Sequence, residues 1–134
     1  MSVQPRKEYD LHARIGIATA KSFINAGAIV WITGRNKDKF HKTSKEINNP
    51  NLKTMVSDTS AMEGITVLEK AFAESSNKLD VLFLNLGIAT FVPIALATEA
   101  GFDAQFNTNV KGAYFILQEL IPHLSKRKSV LFTN

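Results

Sequence analysis

Short apolar runs alternate along the chain with segments whose apolar residues recur at helical spacing. Residues 15–26 place small or apolar side chains every three or four positions, and Gly27 follows as the expected helix end. Residues 28–33 then form an apolar run rich in β-branched and aromatic side chains. Such a run is typical of a strand that is buried on both faces. The pattern therefore predicts a helix that leads into a buried strand.

The same alternation continues through the rest of the sequence. It predicts helices over residues 36–47, 60–77 and 98–124, and strands over residues 52–56, 79–84 and 129–133. Helices that alternate with apolar strands favour an α/β fold with a parallel sheet. No repeat or low-complexity tract interrupts this order, so we expect a single domain.

Composition narrows the class of protein. The 134 residues are 45% apolar and 21% charged, which gives room for one hydrophobic core. No apolar run approaches the ~20 residues that a membrane-spanning helix needs. Cysteine is absent, which excludes disulfides and thiolate chemistry, and the three histidines are too scattered to predict a metal site. We therefore expect a cytosolic protein with no metal and no membrane partner.

The net charge of +4 includes a basic cluster in one short stretch. Its members are Arg35, Lys37, Lys39, Lys42 and Lys45. Such a cluster suits a phosphate group on a nucleotide or on nucleic acid, and a solvated helix face is the alternative. The stretch has no recognised nucleic-acid motif and one aromatic residue, Phe40, so we expect no nucleic-acid partner.

Five segments, taken together, resemble the classical short-chain dehydrogenases/reductases. They are RIGIATAKSFINAGAIVWITGRN, MVSDTS, LDVLFLNLGI, FNTNVKGAYF and SVLFTN. Their order and spacing match the first helix through the fifth strand of that family. The resemblance implies a Rossmann-like, doubly wound parallel sheet with strand order 3-2-1-4-5 that binds NAD or NADP at the carboxyl ends of its strands.

The resemblance also implies a set of cofactor contacts. They are Ile15, Gly16, Arg35, Asp58, Thr59, Asn85 and Gly87. Arg35 follows the second strand of the family, where a basic residue binds the 2′-phosphate, so the implied cofactor is NADP. A solvent-facing turn residue is the alternative for Arg35. Asp58 matches an aspartate that accepts a hydrogen bond from the adenine amino group, and a helix N-cap near Ser60 is its alternative.

Two further parts of the resemblance concern the end of the fourth family strand and the long helix. Leu84 and Leu86 replace the first Asn and the Ala of the family's Asn-Asn-Ala-Gly motif. We expect this exchange to weaken the site and Leu86 to crowd it. Asn109 matches the Asn of the catalytic tetrad, which kinks the helix and holds a water of the proton relay. The alternative for Asn109 is a polar residue that caps a helix irregularity.

The amino end departs from the family. Only Ile15-Gly16 remains of the glycine-rich turn that cradles the pyrophosphate, and Arg14 stands where the middle glycine is expected. Asp10 is a candidate cap for an earlier helix start at Leu11, which would place a carboxylate near the phosphate position.

These departures predict an incomplete sheet. We expect residues 1–14 to be a degenerate leader in place of the first strand, because Pro5 lacks the N–H that a central strand must donate. Residues 15–134 would form a partial Rossmann domain that ends within the fifth family strand. The strands at 28–33 and 79–84 must then pair directly, or buried backbone groups stay unsatisfied, and we expect a marginal fold.

The catalytic residues of the family are not matched. The family uses a Ser and a Tyr-x-x-x-Lys beyond the fifth strand, whereas Tyr9 and Tyr114 are followed four positions later by Ala13 and Gln118. We therefore expect a truncated NADP-dependent oxidoreductase of small carbonyl or alcohol substrates that is inactive alone. The alternative is a non-catalytic module that binds a nucleotide, or that docks through helix 98–124 onto a second copy or a relative.

Overall fold

The computed structural model describes residues 11–133, and its elements follow the predicted order. The helices are α1 (Leu11–Asn25), α2 (Lys37–Ile47), α3 (Met62–Glu74), α4 (Glu99–Phe106) and α5 (Ala113–Leu120). The strands are β1 (Val30–Gly34), β2 (Leu52–Val56), β3 (Leu79–Leu84) and β4 (Leu124–Phe132). All strand pairs are parallel, so the predicted α/β class is confirmed.

The first helix starts earlier than its apolar pattern predicts. It begins at Leu11, four residues before Ile15, and it ends where expected, because Gly27 adopts the left-handed φ of 88° that glycine tolerates. The predicted cap at Asp10 and the leader with Pro5 lie outside the described residues. Arg14, Ile15 and Gly16 therefore belong to the helix itself and not to a turn before it.

The helix predicted over residues 98–124 is present over residues 99–123, but it is not a regular α-helix along its whole length. The segment contains α4, a π-helical turn over Asn107–Gly112, α5 and a 3₁₀ turn over Ile121–His123. Leu124 already belongs to β4, which starts five residues before the predicted Ser129 and pairs with β3 through an irregular register near Leu79. A π-helical turn adds one residue to a helical turn and is often found at functional sites.

The strands form two separate two-stranded sheets, β1–β2 and β3–β4. Val30 lies opposite Leu52 in the first sheet, and Leu84 lies opposite Phe132 in the second. Direct pairing of β1 with β3, one of the two predicted outcomes, does not occur. Within residues 11–133 no strand lies between them, and a large cleft separates the two sheets.

The hydrophobic core lies on one side of this cleft. It joins α3, β3 and α5 through Ile65, Leu68, Phe72, Leu82, Leu84, Ile116 and Leu120. The expectation that residues 28–33 are buried on both faces is wrong: no residue of β1 is fully buried, because one edge of this strand borders the cleft. Trp31 still packs edge-on against Phe72, with ring centroids 5.6 Å apart.

Among the described helices, none has the length and apolar character needed to cross a bilayer.

Candidate functional site

The cleft between the sheets is the main concave feature of the described residues. It has a volume of about 1290 Å³ and is bordered by α1, β1 and β3 and by the segments that follow β1, β2 and β3. Six of the residues that the family resemblance implied for cofactor binding line it together. They are Gly16, Arg35, Asp58, Thr59, Asn85 and Gly87. The fold therefore brings into one cleft residues that are up to 71 positions apart along the chain (Gly16 to Gly87).

Two of the expected residues do not line the cleft. Ile15 is partly exposed on α1, and Asn109 lies in the π-helical turn. Ile15 and Gly16 follow the first four helical residues, so their N–H groups are used inside the helix and cannot cradle a phosphate.

Gly16 allows α1 to approach the Asn85 side chain closely, because glycine has no Cβ atom. A Cβ atom at this position would lie 3.1 Å from the Nδ2 atom of Asn85. The amide of Asn85 also accepts a hydrogen bond at Oδ1 from the Thr133 hydroxyl, 2.8 Å away. Asn85 therefore connects α1, the end of β3 and the end of β4 at the rim of the cleft. Thr133 was not among the residues predicted for the site, because it lies 48 positions from Asn85 along the chain.

A basic rim follows the end of β1. Arg35 is exposed and lines the cleft with Lys37 and Lys39, whereas Lys42 and Lys45 do not. The Asn36 side chain between them caps α2, because its oxygen accepts hydrogen bonds from the N–H groups of Asp38 and Lys39, each 3.0 Å away. The cap fixes the start of α2 and so sets which cationic side chains of the basic cluster face the cleft.

Asp58 follows β2, the strand that pairs with β1, and it lines the same cleft. Its Oδ1 atom accepts hydrogen bonds from the hydroxyl of Ser60 at 2.6 Å and from the Ser60 N–H at 3.1 Å. These two hydrogen bonds, and then the positive charge of Arg35, lower the pKa of Asp58 below the ordinary aspartate value. The helix-cap interpretation is wrong, because α3 begins at Met62 with Ala61 at its N-cap.

Two glycines that sequence analysis missed hold the turn that carries Asp58 and Thr59. Gly64 lies on α3, and a Cβ there would fall 2.5 Å from the carbonyl carbon of Asp58. Gly112, in the π-helical turn, would place a Cβ 2.8 Å from the carbonyl oxygen of Thr59. Gly64 could have been found from the sequence, because it is an isolated glycine inside a helical pattern and such glycines commonly permit close packing.

Buried Ser57 adds two hydrogen bonds to the same turn. Its hydroxyl donates to the carbonyl oxygen of Gly64 at 2.7 Å, and its N–H donates to the carbonyl oxygen of Gly34 at 2.8 Å. The first bond ties β2 to α3 and the second ties it to the end of β1. The turn is thus held from both sides before any ligand binds.

The leucines that replace family residues belong to the packing of the fold. Leu84 is 4% exposed and is part of the core. Leu86 is half-buried against this core, and its Cδ1 atom would be 3.1 Å from a Cβ on Gly112. Leu86 also lines the cleft, where it borders the predicted cofactor residues Asn85 and Gly87.

Asn109 binds the loop that follows β3. Its Oδ1 atom accepts a hydrogen bond from the Ile88 N–H at 2.8 Å, and its Nδ2 group donates to the Ile88 carbonyl at 2.9 Å. Both ends of the amide are therefore used by one backbone residue 21 positions away. The side chain couples the irregular helix to the loop directly after Gly87.

Comparison with known proteins identifies the family of this chain. The sequence model of the short chain dehydrogenase family matches residues 12–131. Oxidoreductase asL5 of Sarocladium schorii is 30% identical over 112 residues, which are 84% of this chain and 45% of that protein. Dehydrogenase/reductase SDR family member 6 of Danio rerio is 32% identical over 116 residues, 86% of this chain and 44% of that protein.

Solved structures show the same fold. The Pseudomonas aeruginosa RhlG/NADP active-site complex superimposes with a TM-score of 0.78 at 25% identity, over 87% of this chain and 49% of that one. A short chain dehydrogenase from Escherichia coli CFT073 gives 0.80 at 24% identity, over 90% and 56%. The chain spans about half the length of the curated relatives it matches. By the family match over most of its length, this chain belongs to the short chain dehydrogenases.

Proposed function

We propose that this chain supplies the cofactor-binding part of an NADP-dependent oxidoreductase that acts on a small carbonyl or alcohol substrate. The observation that carries the proposal is the basic rim of the cleft. Arg35, Lys37 and Lys39 line the cleft at the end of β1, and Asp58 lines it at the end of β2. A guanidinium with two nearby ammonium groups suits the dianionic 2′-phosphate that distinguishes NADP from NAD.

The other cleft residues fit the rest of the nucleotide. The Asp58 carboxylate is oriented by two hydrogen bonds from Ser60, and it would accept a hydrogen bond from the adenine amino group. Asn85 and Gly87 would contact the ribose on the nicotinamide side. The relative RhlG of Pseudomonas aeruginosa was solved as an NADP complex, which supports the choice of cofactor. When bound, NADPH supplies the hydride, and the residues of this chain position the nucleotide.

The cofactor preference is tested by titrating the chain with NADPH and NADH while following nicotinamide fluorescence. We expect NADPH to bind more tightly, and Arg35→Ala to reduce NADPH affinity by about ten-fold, which is ~1.4 kcal/mol, with little effect on NADH. Lys45→Ala is the matched control, because Lys45 belongs to the same basic cluster but does not line the cleft. Equal affinity for both nucleotides in the wild-type chain would refute the proposal.

Catalysis needs a proton donor as well as a hydride. The 134 residues contain no Tyr-x-x-x-Lys, and Tyr114 lies 64% exposed on α5, outside the cleft. A positioned general acid or base contributes ~10²–10⁴-fold in rate. We therefore propose that these 134 residues do not turn over substrate by themselves. NADPH oxidation above background with a panel of ketones and aldehydes would contradict this.

A second candidate function is docking of a partner chain, because one helical face is unusually apolar. Phe102, Phe106, Val110 and Tyr114 recur every four residues, and each is at least half exposed. Phe102 and Phe106 stack with ring centroids 4.3 Å apart. Contiguous exposed apolar surface of this kind marks interaction sites. We propose that this face binds a second copy or a relative of the family.

The docking proposal predicts a concentration-dependent dimer in sedimentation equilibrium. Phe106→Glu places a charge in the centre of the face and should shift the chain to monomer. Val67→Glu is the control, since Val67 is exposed to a similar degree on α3, away from this face. A wild-type chain that is monomeric at all concentrations would remove the proposal. The cytosolic location expected from the sequence stays a prediction.

A further inference from the structure

Thr133, which directly follows β4, binds the end of β3 at two points. Its N–H donates to the carbonyl oxygen of buried Leu84 at 3.2 Å, and its hydroxyl donates to the Oδ1 atom of Asn85 at 2.8 Å. The first bond lies along the edge where β3 pairs with β4, and the second joins two side chains. One residue therefore holds both the backbone before Asn85 and the Asn85 side chain.

Helix α1 lies on the nitrogen side of the same amide. A Cβ at Gly16 would be 3.1 Å from the Nδ2 atom of Asn85, so the helix backbone comes close to this atom. The amide thus lies between Thr133 and α1, with its oxygen toward the first and its nitrogen toward the second. Asn85 lines the cleft, whereas Thr133 is half-buried and does not line it. Thr133 therefore acts on a ligand in the cleft through Asn85.

The hydroxyl of Thr133 decides how the Asn85 amide is presented. An asparagine amide carries an acceptor at one end and a donor at the other, and the torsion that turns the two ends is broad. Hydrogen-bond partners therefore set which end faces a ligand, and here the hydroxyl donates to the oxygen. A side chain that is ordered before binding loses less entropy when the ligand arrives. The Asn85 amide is thus oriented in advance.

On the basis of the cofactor binding proposed above, we propose that Thr133 is a positioning residue for the nicotinamide half of NADPH. Asn85, which follows β3, would bind the ribose on the nicotinamide side, and Thr133 sets the orientation of its amide. Arg35 and Asp58, which follow β1 and β2, would bind the adenosine half of the nucleotide. The two hydrogen bonds of Thr133 go to Leu84 and Asn85 instead. Loss of the hydroxyl therefore weakens one half of the nucleotide site and spares the other.

Two ligands separate these halves. NADPH carries both of them, whereas adenosine 2′,5′-bisphosphate carries the adenine and the 2′-phosphate but no nicotinamide ribose. We would measure the dissociation constant of each ligand with the full chain by isothermal titration calorimetry. Thr133→Val keeps the branched shape of the side chain and removes the hydroxyl. We expect it to weaken NADPH binding about five-fold and to leave the affinity for adenosine 2′,5′-bisphosphate unchanged.

Two further variants separate the hydroxyl from the fold. Thr133→Ser retains the hydroxyl and should bind NADPH within about two-fold of the wild-type affinity. Thr66→Val is the matched control, because the Thr66 hydroxyl donates to the Met62 carbonyl at 3.1 Å within α3 and Thr66 does not line the cleft. This control should bind both ligands as the wild-type chain does.

The hydrogen bond itself is observable without a nucleotide. In a ¹⁵N-labelled chain, the side-chain NH₂ signals of Asn85 should shift in Thr133→Val, because the amide oxygen loses its partner. The same signals should stay in place in Thr66→Val. Asn85 signals that do not move in Thr133→Val would overturn the proposal.

The binding data can overturn it in three ways. Equal loss of both ligands in Thr133→Val means that Thr133 only holds β4 against β3. NADPH affinity that is unchanged in Thr133→Val means that Asn85 needs no such partner, and a five-fold loss in Thr133→Ser means that the hydroxyl alone is not what matters.

Failure of the cofactor proposal has a different signature. Equal affinity of the wild-type chain for NADPH and NADH refutes the NADP preference but not the role of Thr133, because both nucleotides carry the nicotinamide ribose. A preference for NADPH together with unchanged binding in Thr133→Val refutes the role of Thr133 alone. A wild-type chain that binds neither nucleotide refutes both proposals.

Discussion

Gly64→Ala is the substitution that most directly tests how the turn with Asp58 is held. The new Cβ would fall 2.5 Å from the carbonyl carbon of Asp58 and closer still to its carbonyl oxygen, whereas real Cβ atoms essentially never come within 3.0 Å. Because the obstacle is backbone, α3 or the turn must move by at least 0.5 Å, the difference between 3.0 and 2.5 Å. Such overpacking costs ~1–3 kcal/mol, against a gain of ~1 kcal/mol in helix propensity.

The net expectation is a loss of about 2 kcal/mol in the free energy of unfolding, which is the upper end of the overpacking cost less the propensity gain, because the obstacle is backbone and cannot rotate away. Urea denaturation followed by Trp31 fluorescence measures this loss. Gly101→Ala is the matched control, because its Cβ would meet only the Thr98 hydroxyl at 3.2 Å inside α4, and we expect it to be neutral or stabilising. A Gly64→Ala chain as stable as the wild type would refute the reasoning.

Two further predictions concern hydrogen bonds at the site. The lowered pKa of Asp58 means that its carboxylate favours the folded chain, so this stabilisation is complete above the ordinary aspartate pKa and is lost as pH falls through the lowered value. Ser60→Ala should raise the Asp58 pKa, and an NMR titration that shows no change would contradict the assignment. Asn109→Leu should cost ~1–3 kcal/mol and speed hydrogen exchange at the Ile88 amide, because the N–H and C=O of Ile88 lose their partner. Unchanged exchange at Ile88 would show that the Asn109 bonds are not needed.

Sequence-based prediction was accurate for features that depend on residues close together in the sequence, and less accurate for features that depend on distant residues. β2 and β3 were predicted to the residue, because turn-forming or polar residues bound both strands and β3 is a mostly apolar run. The helix over 98–124 was predicted to within one residue of each end, and its π-helical turn contains Asn109, where the family resemblance implied a kink. The early start of α1 at Leu11 has no apolar signal, since His12 and Arg14 are polar.

In the candidate site too, residues in local motifs were predicted, whereas residues that act through distant contacts were not. The resemblance to the family indicated Arg35, Asp58, Asn85 and Gly87 from local motifs, and the fold places all four in one cleft. It did not indicate Gly64 and Gly112, whose role is to let helices approach the turn at Asp58 and Thr59. Close approach is a property of two segments that are distant in sequence, so one segment alone carries little sign of it.

The sequence by itself determined the family, the order of helices and strands, and the basic stretch that follows β1. These features depend on periodicity and on motifs of a few residues, which are local. The tertiary structure decided that β1 and β3 remain apart, that only Arg35, Lys37 and Lys39 of the basic cluster face the cleft, and that two strand edges border it. Strand pairing joins distant residues, and its outcome depends on competition among all available edges, which no local pattern encodes.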